Sequence, residues 1–184
     1  MNLLLSGPPH QDDGGPGLTS PNRPGSPSTS KGGDHVTLSD SRGDLPPVVK
    51  RLLLDIVADG FTIYCCGPRS APTALAASYN WKDYVDHITI RRWDHVTAAR
   101  IPKLGRVDVF APQVVVWAYE GPAECTLRAL LNLVHPQHPD APTGVYPAPH
   151  SLQVPRHEQR PMTIRLPSAE RGGVRAARLA GFAS

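Results

Sequence analysis

Charge is scarce in this sequence. Asp, Glu, Lys and Arg supply 19% of 184 residues, and the formal net charge is only +3. An excess that small does not by itself select nucleic acid or an acidic partner. Cysteine is scarcer still. Three thiols in a chain of this length do not make a disulfide framework, and none of them forms a C-x-x-C pair. No apolar run approaches the ~20 residues that span a bilayer. The opening "MNLLLSGPP" has neither a basic n-region nor the long apolar stretch of a secretory signal. A Gly-rich phosphate loop, a clustered metal-ligand motif and a nucleophile signature are all missing from the sequence. These absences predict a soluble, reduced, cytoplasmic protein with no membrane, no metal and no cofactor.

What the sequence has in quantity is proline and glycine, 21 and 16 residues. They concentrate at the two ends. Residues 1–43 are about half Gly, Pro and Ser, too poor in apolar surface to offset ordering entropy, and read as a disordered arm. Residues 136–184 read as a proline-rich extended arm with a short basic tail, in which "MTIRL" is the one stretch suited to an edge strand and a short helix follows Gly173.

Between the arms, residues 44–135 carry the periodic patterns of a core. "VVKRLLLDIVADG" places Val49, Leu52, Leu53 and Ile56 on one helical face, with Asp44 as N-cap, prolines in the first turn and Gly60 as stop. "FTIYCC" then changes period to a strand. "ALAASYNW" and "YVDHITIRR" form a hairpin, and "HVTAARI" suits a strand or one helical turn. The run from Val114 to Tyr119 is apolar on both faces and predicts a central strand. "GPAECTLRALLNLVHP" is the best-defined helix, opened by Pro122 and closed by Pro136. Strands grouped between helices predict an α+β fold, a mostly antiparallel sheet of three to five strands with two packed helices.

Several residue groups suggest chemistry. In a strand, Cys65 and Cys66 point to opposite faces and cannot share a metal or a substrate, so both are expected in the core. Cys125 lies near a helix start, where a thiol is activated only if a base is positioned beside it. His135, His138 and Asp140 have ligand-like spacing, but the prolines between them predict an extended segment with the two Cα atoms ~9 Å apart. "DHI" and "DHV" put Asp and His side by side, facing apart on a strand. His87 shares parity with Thr89 and Arg91, which predicts a solvent-facing stripe. "SRGD" at 41–44 is the tripeptide that some adhesion receptors read, here expected by chance. Six arginines from Arg156 onward face only Glu158 and Glu170, a candidate phosphate clamp.

The pattern Asp108-Val-Phe-Ala-Pro112, Val116-Trp117, Tyr119 and Leu127-Arg128-Ala129-Leu130-Leu131, with "TAAR" at 97–100 and "PMTIRLP" at 161–167, resembles a family of small proteins of high-GC, actinobacterial-type bacteria. That family has no known activity, so the resemblance implies no catalytic residue.

Three functions are open on this reading. The first is a non-enzymatic interaction or regulatory module that binds a protein partner or itself, with Trp117 and Tyr119 as aromatic anchors. The second is a small enzyme or ligand-binding protein with a pocket near Cys125, His87 and Arg128. The third is a nucleic-acid accessory protein that uses Arg171, Arg175 and Arg178.

Overall fold

The structure is a computed structural model, and it describes residues 45–159, 162–165 and 173–181. Asp44, the "SRGD" tripeptide and Arg171 lie outside the described residues. The fold is α+β, as expected from the grouping of strands between helices. Helix α1 (Pro47–Ala58) begins after Pro46, with Pro47 in its first turn, where a missing N–H costs nothing. Asp59 caps its C-terminal end, and Gly60, with a φ of 92°, lets the chain turn back.

Strands β1 (Thr62–Cys66), β2 (Ala74–Asn80), β3 (Tyr84–Arg92) and β4 (His95–Pro102) follow as an antiparallel meander. The loop after β4 leads to the two-residue β5 (Val114–Val115) and then to β6 (Trp117–Gly121), which pairs with β4. Helix α2 (Ala123–Leu131) comes next, then β7 (Tyr146–Pro147) pairing with β5, and β8 (Met162–Arg165) antiparallel to β1. Helix α3 (Val174–Ala180) is the last element. The main sheet therefore runs β6-β4-β3-β2-β1-β8: five strands from one stretch of chain, and a sixth from the segment "MTIRL". No described helix is long and apolar enough to cross a membrane.

All three helices contribute to a core on one sheet face. Val49, Leu52 and Ile56 of α1, Leu127 and Leu130 of α2 and Leu179 of α3 meet Ala77, Tyr79, Ile88, Ile90, Val96 and Ala98 of the strands. Fully burying each such aliphatic side chain is worth about 1.5–3 kcal/mol. The buried Thr126 hydroxyl fixes α2 further by donating to Val96 O at 3.3 Å.

The opposite face is not left to solvent. Leu152 packs there with Val85, Ala99, Ile101 and Val115, and Val154 with Cys66, Ala74 and Ala76. The loop after β4 adds Val107, Val109 and Phe110. This cover corrects one expectation. His87 and Thr89 are completely buried, not a solvent stripe, because parity tells which residues share a face and not which face is wet.

The Val114–Tyr119 run is also not a central strand. The chain bends at Val116, whose N–H goes to Arg100 O at 2.9 Å. β5 then belongs to the small second sheet, and β6 is an edge of the large one. Double-sided burial arises because the segment passes between two clusters: Val115 packs in one, and Trp117 packs against the other.

Gly67 makes the connection from β1 to β2. Its φ is 93°, its N–H donates to Glu158 O, and a Cβ there would lie 2.6 Å from Thr73 Oγ1 and 2.9 Å from Thr73 N. Gly67→Ala is expected to cost about 2 kcal/mol or more in urea unfolding, from the left-handed backbone and the clash together. Gly144→Ala, with no heavy atom near its Cβ position, is expected to stay within about 0.5 kcal/mol. Equal stability of the two variants would contradict this account of the turn.

Candidate functional site

Adjacent strands β3 and β4 place Asp86 directly opposite Arg100 on the helix face. Both are completely buried, and they form a two-pronged pair: Arg100 Nε to Asp86 Oδ1 at 2.7 Å and Nη2 to Oδ2 at 3.0 Å. Desolvating such a pair costs several kcal/mol per ion unless the remaining polar atoms are also satisfied. Here they are. Arg175 of α3, also fully buried, reaches Asp86 Oδ2 with Nη2 at 3.1 Å and Asp59 Oδ2 with Nη1 at 3.0 Å. Arg178, one helical turn on, grips Asp59 through Nε at 3.0 Å and Nη2 at 2.6 Å.

Each of the three guanidiniums also donates to a carbonyl at or beyond the end of α2. Arg175 reaches Leu130 O, Arg178 reaches Leu131 O and Arg100 reaches Val134 O. Leu130 and Leu131 close α2, where the carbonyls form the negative end of the helix dipole and cations suit them; Leu130 O also accepts Leu133 N–H at 3.1 Å. The Arg175 guanidinium lies over the rings of Phe61 and Trp81, at 5.4 and 5.8 Å from their centroids. Weakly hydrated and planar, arginine tolerates this setting where lysine would not.

The network opens to solvent at Arg178, whose side chain is 35% exposed. A cleft lies on either side of it. One, of about 440 Å³, is lined mainly by Leu52, Ala58, Leu131 and Val174, with Asp55, Asp59, Arg128, Asn132 and Arg178 as its polar groups. The other, of about 270 Å³, is lined by Asn132, Val134, His135, His138, Arg178 and Leu179.

A second polar group sits on the opposite sheet face. Thr89 Oγ1 donates to Leu152 O at 3.0 Å and lies 3.3 Å from His87 Nε2. Thr89 has one hydroxyl hydrogen, so the imidazole carries its proton on Nε2. Its Nδ1 is buried and has no hydrogen-bond partner among the described residues. The ring packs edge-on against Phe110. Nearby, Glu158 accepts from Thr73 Oγ1 at 2.8 Å and lies 3.7 Å from Arg91. This group holds the segment around Leu152–Glu158 onto the sheet.

The residues singled out from sequence are dispersed. Trp117 is half-buried against the helix-side core, and Tyr119 beside it is 41% exposed on the edge strand. Arg175 is enclosed by carboxylates and carbonyls and has no surface to offer a phosphate. Arg178 is committed to Asp59 through Nε and Nη2.

Cys125 is exposed on α2, which packs on the helix side, whereas His87 is sealed on the opposite face. Arg128 turns to Glu124 at 3.0 Å. These three residues cannot converge. Cys65 pairs in register with Leu75 and Cys66 with Ala74, on opposite faces of the sheet. Asp86 and His87 likewise face apart, and Asp94 is held at the surface by Arg92.

The His135–Asp140 segment is not extended, as the prolines had suggested. His138 N donates to His135 O and Ala141 N to His138 O, making two successive turns. Each imidazole Nδ1 accepts a main-chain N–H two residues on, from Gln137 and from Asp140. Among the described residues, no three His, Cys, Asp or Glu side chains are placed to hold a metal ion.

Fold and site together define an α+β protein whose most concentrated polar feature is a buried arginine–aspartate network with a solvent-facing mouth. Comparison with family models, curated proteins and solved structures returned no match.

Burial pushes the His87 imidazole down from 6.5 to about 4. The unfolded chain therefore takes up a proton below about pH 6.5 that the native state refuses. Stability is complete above that pH and falls on acidification towards pH 4, by at most about 1.4 kcal/mol per pH unit from this group. His135, lowered by burial and then by Arg100, acts in the same direction. Urea midpoints at neutral pH and near pH 5 are expected to show the loss, and His87→Leu to remove most of it. A variant with the full wild-type slope would exclude His87 as the source.

Burial also raises both strand thiols, Cys66 to about 11. Iodoacetamide is expected to modify only Cys125 in the native protein and all three cysteines in urea, as read by mass spectrometry. Native-state labelling of Cys65 or Cys66 at the Cys125 rate would contradict their burial.

Proposed function

We propose that the protein is a non-enzymatic interaction module whose partner adds an extended segment along β6. The observation that carries this reading is the asymmetry of the sheet. At one end, β1 is covered by β8 from the chain's own C-terminal region; at the other, β6 has no further strand beside it among the described residues. An open edge presents unpaired N–H and C=O groups, which favour strand addition. β6 also places Trp117 and Tyr119 two residues apart, on the same face.

The chain already uses the same device twice, in β8 on β1 and in β7 on β5. Further support comes from the separation of Cys125, His87 and Arg128, which leaves those candidates without a shared reacting centre. The second reading, a small-ligand protein, draws on the cleft of about 440 Å³, a volume within the usual range for small-molecule sites.

A photo-crosslinking amino acid placed at position 119 of the full chain, irradiated in the native cell, tests the first reading. The expected result is a discrete product, at twice 19.8 kDa if the partner is a second copy. The same probe at Leu54, 57% exposed on α1, is expected to give none. No product at 119 above the Leu54 background would overturn the assignment of β6 as the docking edge.

A further inference from the structure

The buried network does not balance its own charge. Two carboxylates, Asp59 and Asp86, face three guanidiniums, Arg100, Arg175 and Arg178. The carbonyls at the end of α2 offset about half a charge, and a positive remainder stays in a region of low dielectric. The network meets solvent at Arg178, where Nε and Nη2 are used and Nη1 has no partner among the described residues.

The cleft of about 270 Å³ beside Arg178 has a lining of one sign. It contains Arg178, His135, His138 and Asn132, and no carboxylate. Both histidines accept a main-chain N–H at Nδ1, so the proton of each neutral ring sits on Nε2 and is free to donate. Two acids border the cleft without lining it: Asp59, already bound by Arg178 through Nε and Nη2, and Asp140, 3.7 Å from His138 on the Nδ1 side with its own side chain 87% exposed. Four side chains from the end of α2, the turn after it and α3 thus surround one space with hydrogen-bond donors.

We propose that this cleft binds a phosphate group through Arg178, His135, His138 and Asn132. Donors converging from several elements suit a tetrahedral dianion better than a planar carboxylate. The volume is several times the ~30 Å³ share of one water, which leaves room for a small organic group attached to the phosphate. The site is independent of the β6 edge, on a different part of the molecule and with a different class of ligand.

Full chain in a chloride buffer near neutral pH is titrated with inorganic phosphate at constant ionic strength, and Tm and calorimetric heat are followed. A saturable rise in Tm is expected, since a ligand that binds only the native state stabilises it. Arg178→Lys, which keeps a cation beside Asp59, and His138→Gln are each expected to weaken binding about tenfold, the loss of one charge-assisted hydrogen bond. Arg51→Gln, at an exposed site on α1, is expected to leave it unchanged. If Arg178→Lys fails to fold, His138→Gln on the exposed turn carries the test.

Tighter binding of glycerol phosphate would place an ester in the cleft, and equal binding a free anion; both support the site. A phosphate effect no larger than that of added chloride would overturn the proposal. So would equal binding of acetate, or phosphate binding retained in full by both variants.

Discussion

Five charged side chains, none adjacent in sequence, hold the helix side of this protein together. Asp86 and Arg100 come from neighbouring strands, Asp59 from the end of α1, and Arg175 and Arg178 from α3. Deleting one member of such a group leaves its partners charged and dry, which in buried pairs costs about 3–5 kcal/mol. The geometry is selective as well as stabilising. Asp59 caps the C-terminal end of α1, where a carboxylate opposes the helix dipole, and two arginines reverse that disadvantage. The same arginines secure the end of α2, so the arrangement of all three helices is written into one cluster of hydrogen bonds.

The rest of the architecture follows from a sheet that must be covered twice. Helices cover one face in the ordinary way, through leucines and valines at helical spacing. The other is covered by chain with almost no regular structure: the loop after β4 and the proline-rich segment through Leu152 and Val154. Such a segment has few main-chain donors to satisfy, because proline has none, and it can lie over an apolar surface without forming a layer of its own. The buried polar groups beneath it, Thr89 bonding to Leu152 O and Glu158 bonding to Thr73, fix its position where periodic packing cannot.

Legibility in the sequence tracks how local each cause is. The helices α1 and α2, the β2–β3 hairpin and β8 rest on short-range periodicity and on Pro and Gly punctuation, and they stand where those signals put them, except that α2 stops at Leu131, short of the Pro136 expected to close it. The burial of His87 depends on residues distant in sequence, Phe110 and, more than 60 positions away, Leu152, and parity alone holds no trace of that. The break at Val116 was hidden because a strand changing sheets and a strand buried centrally have the same apolar profile. The ionic network did leave a signal. Asp86 shares parity with Ile88 and Ile90, and Arg100 with Val96 and Ala98. An acid and an arginine, each on the apolar side of neighbouring antiparallel strands, are a buried pair in outline. The contribution of α3 was beyond reach, since its arginines look like a solvated tail until the partners are known.

Arg175 stands 89 residues after Asp86, and β8 joins β1 from about the same distance. A nascent chain leaving the ribosome therefore exposes the meander and both larger helices well before their last partners exist. Until then one flank of β1 has no neighbouring strand and Asp86 has Arg100 as its single counter-ion. Long-range closure of this kind is slow, and surface left open in the meantime invites misassembly. The length of that exposure is set by the distance between two ions along the chain.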